Sequence, residues 1–150
     1  MNLHPSSVLL LAMASLVAAS GCTPPATLSG GSPLEATEII TRSRIENSGA
    51  TTAWEALRLS RTIHLETDIQ GRPVGMLNRG QGTISLDDTP LLVVDGARVA
   101  DIKRLGDMPA EHVYRILIYS GSSATIRWGP EAISGLVEII TTRTRSLSKR

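Results

Sequence analysis

The chain has 150 residues with 15 basic and 14 acidic side chains, so its net charge is close to neutral. Its single cysteine excludes an intramolecular disulfide, and a lone thiol in an exported protein needs modification or pairing between chains. The absence of phenylalanine, with only two Trp and two Tyr, requires a core built from Ile, Leu, Val and Ala.

Residues 1–21 are predicted to be a lipoprotein signal peptide. Within them, residues 8–19 form an apolar stretch that is shorter than the roughly 20 residues of a membrane-spanning helix. The stretch leads into Ala-Ser-Gly-Cys at 19–22, which resembles a bacterial lipobox. We therefore expect Cys22 to carry the lipid and to become the mature N-terminus. The alternative is an ordinary secretory signal with a cysteine nearby by chance.

Residues 22–34 are predicted to be the lipidated cysteine and a flexible tether. Three prolines and two glycines, separated by Ser and Thr, leave too little apolar surface to fold. About a dozen such residues reach on the order of 20 Å as a coil. Thr23 takes the position where an Asp favours retention in the inner membrane of enteric-type bacteria. We therefore expect an outer-membrane lipoprotein that faces the periplasm, with membrane lipid as a partner through Cys22.

The first two helices of the folded part are predicted from capping signals. Ser43 is followed three residues later by Glu, which is the spacing of a capping box, and predicts a short helix over 43–47. Thr52 repeats that spacing and predicts a second helix over 52–61. Three residues of the second helix share an apolar face: Ala53, Trp54 and Leu57.

Strand periodicity begins at residues 63–69, where apolar and polar side chains alternate and one face is predicted to meet water. The Gly-rich segment 71–82 is predicted to be a loop, and 83–86 a short strand. The run Leu-Leu-Val-Val at 91–94, closed by an Asp-Gly pair, predicts a buried central strand.

Four further elements follow in chain order. They are a helical turn at 100–105, a strand at 113–119, a helix capped by Ser122 or Ser123 that runs through Trp128 and stops at Gly129-Pro130, and a strand at 136–142. Strands mixed with short helices, joined by links too short for a crossover helix, favour an α+β fold with a small mixed sheet. We therefore expect residues 35–145 to form one domain, followed by a basic tail at 146–150.

Four segments of this domain follow the order of a known family. They are Thr-Pro-Leu-Leu-Val-Val-Asp-Gly at 89–96, Val-Tyr-Arg-Ile-Leu-Ile at 113–118, Ala-Thr-Ile-Arg-Trp-Gly at 124–129 and Gly-Leu-Val-Glu-Ile-Ile-Thr at 135–141. Their order resembles the plug domain of TonB-dependent outer-membrane receptors. Residues 38–45 and 53–58 resemble the opening strand and helices of that domain. The resemblance implies a plug-like α+β fold over about 38–143.

The function that follows is an expectation from this resemblance. Receptors of the family continue into a transmembrane barrel, whereas this sequence ends at Arg150, so we expect a solitary plug-like domain with no transport activity of its own. We expect no catalytic residues and no cofactor. The chain is predicted to be a non-catalytic interaction module of the cell envelope, with an envelope protein as partner and no nucleic acid.

The alternative is a small periplasmic enzyme or metal-binding protein. His64, Glu66 and Asp68 lie at alternate positions, so they would share one strand face as three metal ligands could. A solvated strand face explains the same pattern, and no second group of His or Cys completes a ligand set. We prefer the solvated face.

Recognition is predicted on two loops, because loops on a rigid sheet commonly carry binding residues. The loops cover residues 71–82 and 97–109. Their polar side chains are the candidate interaction residues: Arg72, Arg79, Gln81, Arg98, Lys103 and Arg104.

Overall fold

The computed structural model describes residues 35–79 and 89–148 of the chain. The predicted signal peptide, lipidated Cys22 and tether lie outside the described residues. The predicted strand at 83–86 and the candidate Gln81 lie outside them as well.

The centre of the fold is a mixed five-stranded sheet in the order β1-β6-β7-β4-β5. Its strands are β1 (Glu38–Thr41), β4 (Leu91–Val94), β5 (Ala97–Arg98), β6 (Val113–Tyr119) and β7 (Leu136–Thr141). All neighbours are antiparallel except β4 and β7, which are parallel. The α+β prediction is confirmed, and the strands predicted at 91–94 and 113–119 have the predicted bounds.

A separate two-stranded antiparallel hairpin consists of β2 (Ile63–Thr67) and β3 (Pro73–Asn78). The predicted loop at 71–82 is therefore wrong for residues 73–78. Pro73 is the first residue of its strand, where a missing N–H is tolerated, and Gly75 lies opposite Glu66. A Cβ at Gly75 would lie 2.8 Å from Glu66 Oε2, the mobile end of an exposed side chain, and 3.6 Å from Glu66 Cβ, which is ordinary van der Waals contact.

Five short helices surround the sheet within the described residues. They are α1 (Arg42–Ser48), α2 (Ala53–Leu57), α3 (Arg104–Asp107), α4 (Gly121–Trp128) and α5 (Thr142–Ser148), with 3-10 turns at Ala110–His112 and Pro130–Ala132. The predicted cap of the second helix is confirmed, because Thr52 Oγ1 accepts a hydrogen bond from the Glu55 N–H at 3.2 Å. None of the described helices is long and apolar enough to cross a membrane.

Two other predicted caps are wrong by two or three residues. The N-cap of α1 is Thr41 rather than Ser43, and the N-cap of α4 is Ser120 rather than Ser122 or Ser123. In both cases a strand leads almost directly into a helix, so the cap falls on the last extended residue. The ψ angle of 160° at both caps is that of extended backbone.

Three further helices differ from the predictions. Helix α2 ends at Leu57 instead of continuing to residue 61, because the next residues close tighter turns in which Ser60 N–H donates to Leu57 O. Helix α3 begins at Arg104, near the end of the turn predicted at 100–105. Helix α5 was not predicted, and it extends into the segment predicted to be a basic tail.

The core lies on both faces of the sheet and confirms the predicted Ile, Leu, Val and Ala composition. One face packs against α1, α2, α3 and the hairpin, with Leu57, Leu105 and Ile116 fully buried. The other face packs against α4 around Leu136 and Ala124. The predicted apolar face of α2 is also confirmed, because all three of its residues are buried: Ala53, Trp54 and Leu57.

Candidate interaction groove

The two predicted recognition loops meet at a groove beside α2. Its walls are the turn of the hairpin, residues 68–74, and the segment 103–107, and its floor includes Trp54 and Arg58. We call this cavity the α2 groove. Its volume of about 470 Å³ lies within the range of roughly 300–1,000 Å³ that is typical of ligand sites.

Backbone contacts hold the second wall against α2. The Ala53 N–H donates to Met108 O at 2.8 Å, and the Ala110 N–H donates to Thr51 O at 2.9 Å, so residues 108–110 run alongside the start of the helix. The buried Leu105 anchors α3 in the core below. These contacts place α3 beside the hairpin turn.

The two walls touch at Gly106 and Pro73. A Cβ at Gly106 would lie 3.2 Å from Pro73 Cδ, which is tighter than ordinary van der Waals contact. The small residue therefore lets α3 approach the hairpin closely. Any larger side chain at this position would push the walls apart.

Asp68 organises the hairpin turn. Its Oδ1 accepts hydrogen bonds from the N–H groups of Gln70 and Arg72 at 2.9 and 2.8 Å, and its Oδ2 accepts from Arg72 Nε at 2.8 Å. The hydrogen bond from the Arg72 backbone, aided by the others, holds the pKa of Asp68 below its usual value of 3.8. Both carboxylate oxygens are therefore engaged inside the wall.

Glu55 is engaged in a similar way on α2. Its Oε2 accepts hydrogen bonds from the backbone N–H and the Oγ1 of Thr51, each at 2.7 Å. These bonds, the backbone one first, hold the pKa of Glu55 below its usual value of 4.5. Glu55 thus caps its own helix.

Three charged residues of the groove have side chains that are free to contact a ligand: Arg58, Lys103 and Asp107. Within 35–79 and 89–148, none of their own side chains forms a hydrogen bond or salt bridge; the bond between Lys103 and Asp101 uses the backbone N–H of Lys103, which donates to Asp101 Oδ1 at 3.0 Å. Arg58 lies close enough to Glu55 to influence its carboxylate, but without a direct ion pair. The groove therefore presents two cations and one anion to a ligand.

Trp54 lies in the floor of the groove but presents little of its surface there. The residue is only 3% exposed, and its indole Nε1 has no hydrogen-bond partner among the described residues. Trp54 and Arg58 are four residues apart, so they lie on the same side of the α2 segment. Arg58 was not among the candidate interaction residues, because these all lie in the two loops. The four-residue spacing from Trp54 is the sequence signal that would have identified it.

Five of the six candidate interaction residues lie within the described residues, and two of these five line the α2 groove, Arg72 and Lys103. Arg98 forms an ion pair with Glu131, far along the chain. Arg79 lies at the other end of the hairpin, beside a cavity of about 160 Å³. Arg104 is exposed on α3 and does not line the groove.

The alternative metal site is not assembled in the described part of the chain. Asp68 is engaged with Arg72, while His64 and Glu66 are exposed on β2. No group of three His, Cys, Asp or Glu residues within 35–79 and 89–148 could hold a metal ion. The exposed His64 and Glu66 agree with the solvated strand face preferred above.

Comparison with known families identifies the fold. The model of the TonB-dependent receptor plug domain matches residues 32–136, which is more than two thirds of the chain. The chain belongs to this family. Plug domains of these receptors are non-catalytic modules of outer-membrane proteins. The resemblance stated from the four sequence segments is confirmed.

A solved structure shows the same plug fold. The ferric enterobactin receptor PfeA from Pseudomonas aeruginosa, crystallised as a point mutant in complex with enterobactin, superposes with a TM-score of 0.52 at 24% sequence identity. The match covers 70% of this chain and 17% of the receptor, so the plug domain here spans about a sixth of the length of that protein. No curated protein matches the chain.

Proposed function

We propose that this chain is a lipid-anchored protein of the outer membrane that faces the periplasm, and that its plug domain is a non-catalytic interaction module. The membership of the plug family supports an envelope location and a function other than catalysis. The lipobox-like segment at 19–22 supports an anchor at Cys22. The tether at 23–34 would let the domain search for a protein partner near the membrane.

The convergence of two loops at the α2 groove is the observation that carries the interaction role. Arg72 and Lys103 are 31 positions apart in sequence, yet both line one cavity with Trp54. Loops held by a rigid sheet are common sites of recognition. The groove therefore supplies a defined docking surface.

The anchor is tested by Cys22→Ser. Removal of the only thiol should release the protein into the soluble fraction or leave its signal uncleaved, whereas Ser20→Ala should stay in the membrane fraction because it keeps a small residue. Mass spectrometry should find a diacylglyceryl-modified cysteine at the mature N-terminus. An unmodified N-terminus downstream of Cys22 would contradict the anchor.

The interaction role is tested by crosslinking in intact cells. A deletion in the second half of the hairpin, such as residues 75–80, would remove part of β3 and disturb the fold. Reversal of a single charge in the groove is therefore the better perturbation. Lys103→Glu should lower the yield of the crosslinked partner, whereas Arg104→Glu, at the next position but outside the groove, should not. The same partner yield from both variants would exclude the groove. The absence of any specific partner in wild type would exclude the interaction role itself.

A further inference from the structure

The donors and acceptors of the α2 groove indicate the chemistry of its ligand. The acids of its walls are occupied, since Asp68 accepts three hydrogen bonds and Glu55 accepts two. Arg58 and Lys103 have no such partner among the described residues, and they outnumber the single open carboxylate, Asp107. The groove therefore has positively charged N–H donors that are free to bind a ligand, and a ligand with a carboxylate suits them.

The same groove has an apolar part. Trp54, Pro73 and Val74 contribute to its lining, and Val74 is 53% exposed although it lies on a strand. An exposed apolar side chain gains free energy when another apolar group covers it. A small inorganic anion would leave this part of the groove unused.

The exposure of the cations limits what they contribute. Arg58 and Lys103 are both exposed, so each ion pair with a ligand is screened by water and salt and adds only modest affinity. A free carboxylate would therefore bind weakly. A ligand that combines a carboxylate with an apolar group on the same short chain uses both parts of the groove.

We infer that the α2 groove binds an acidic peptide segment of a partner protein, with the carboxylate between Arg58 and Lys103 and a neighbouring apolar side chain against Val74, next to the small exposed part of Trp54. This inference rests on the proposed interaction role and names the chemistry of its partner. The 470 Å³ of the groove lies in the size range of ligand sites and so suits a short peptide motif rather than a large surface. Asp107 at the rim disfavours a motif with adjacent acids, because like charges would repel.

The test uses the full chain in detergent and a panel of blocked, fluorescein-labelled tripeptides. Each peptide has Asp or Glu flanked by Leu, Val or Phe, and each has a counterpart with Asn or Gln. Fluorescence anisotropy should show that at least one acidic peptide binds about fivefold to tenfold more tightly than its amide counterpart. The difference should shrink as the NaCl concentration rises.

Charge reversals locate the peptide. Lys103→Glu and Arg58→Glu should each weaken the acidic peptide about tenfold and leave its amide counterpart nearly unchanged, while the control Arg104→Glu should bind like wild type. Binding should also change the emission of Trp54, measured in a Trp128→Phe background that leaves a single tryptophan. Circular dichroism of every variant checks that the fold is intact.

Three results would overturn the inference. They are equal binding of acidic and amide peptides across the panel, equal effects of Lys103→Glu and Arg104→Glu, and a Trp54 response to phosphatidylglycerol vesicles with none to any peptide. Each is distinct from a failure of the proposed function. If peptide binding fails while crosslinks to a partner persist in Lys103→Glu cells, the chain is an interaction module that uses another surface.

Discussion

The glycine that ends α4 allows a sharp test of the fold. Gly129 has φ +88° and ψ −177°, a combination that is essentially restricted to glycine. Gly49, at the end of α1, has φ +72° and ψ +13°, the left-handed region that Asn also adopts. A Cβ at either position would meet nothing within 4 Å, so crowding does not distinguish them. Substitution by Asn at both positions therefore isolates the difference in backbone strain.

The expected magnitudes follow from two opposing effects. Strain at Gly129→Asn costs about 1–3 kcal/mol, whereas the loss of glycine freedom in the unfolded chain returns about 0.4–1 kcal/mol. The net destabilisation should lie between about 0 and 2.6 kcal/mol, with the midpoints of the two ranges giving about 1.3 kcal/mol. For Gly49→Asn the two effects nearly cancel, and the free energy of unfolding should stay within about 0.5 kcal/mol of wild type.

Calorimetry of the purified variants measures the difference. For a domain of roughly 110 residues, 1 kcal/mol corresponds to about 4 °C in Tm, so Gly129→Asn should melt several degrees below Gly49→Asn. Urea unfolding with an unchanged m-value would confirm that stability rather than compactness has changed. Equal melting temperatures, or a larger loss at Gly49, would refute the assignment of Gly129 as a strained helix stop.

Two further perturbations test local contacts. Thr52→Ala removes the acceptor of the Glu55 N–H and should lower the free energy of unfolding by about 1 kcal/mol in urea; no change would mean that the cap contributes nothing. Asp95 is partly buried, which raises its pKa, but hydrogen bonds from the N–H and Oγ1 of Thr141 at 2.8 and 2.7 Å outweigh burial and hold the pKa below 3.8. Its contribution to stability is therefore present above pH 3.8 and is lost as the pH falls through the lowered pKa, so Asp95→Asn should flatten the acid limb of the stability curve, and an unchanged acid limb would contradict this.

The elements that were predicted correctly are those with local causes. Strand β4 is an apolar run that ends in a turn where Asp95 and Gly96 have φ of 50° and 82°. This conformation suits an Asp-Gly pair in a two-residue hairpin, so the sequence carries the signal in adjacent residues. Strand β6 is similarly marked by four consecutive buried residues at 116–119, directly after the exposed Arg115.

The elements that were missed depend on distant partners. Strand β3 contains Pro73 and Gly75, which favour a loop locally, and it forms because β2 supplies hydrogen bonds along its length. Helix α5 has a polar sequence with little apolar periodicity. Its contact with the sheet includes the guanidinium of Arg145, which lies 4.3 Å from the centre of the Tyr114 ring on β6. Neither contact can be inferred from a single window of sequence.

The same distinction explains why the groove was predicted only in part. The sequence placed cations in two loops, but which of them converge depends on how each loop packs. Arg72 donates a hydrogen bond to Asp68 within the hairpin wall, and Lys103, which directly precedes α3, lines the groove. Arg98 on β5 instead forms an ion pair with Glu131. The local clue that was overlooked is the spacing of Trp54 and Arg58 on α2. In this pattern a buried aromatic residue is followed one turn later by an exposed cation. It indicates a helix with one edge at the boundary between the core and solvent, and a groove can form at such an edge.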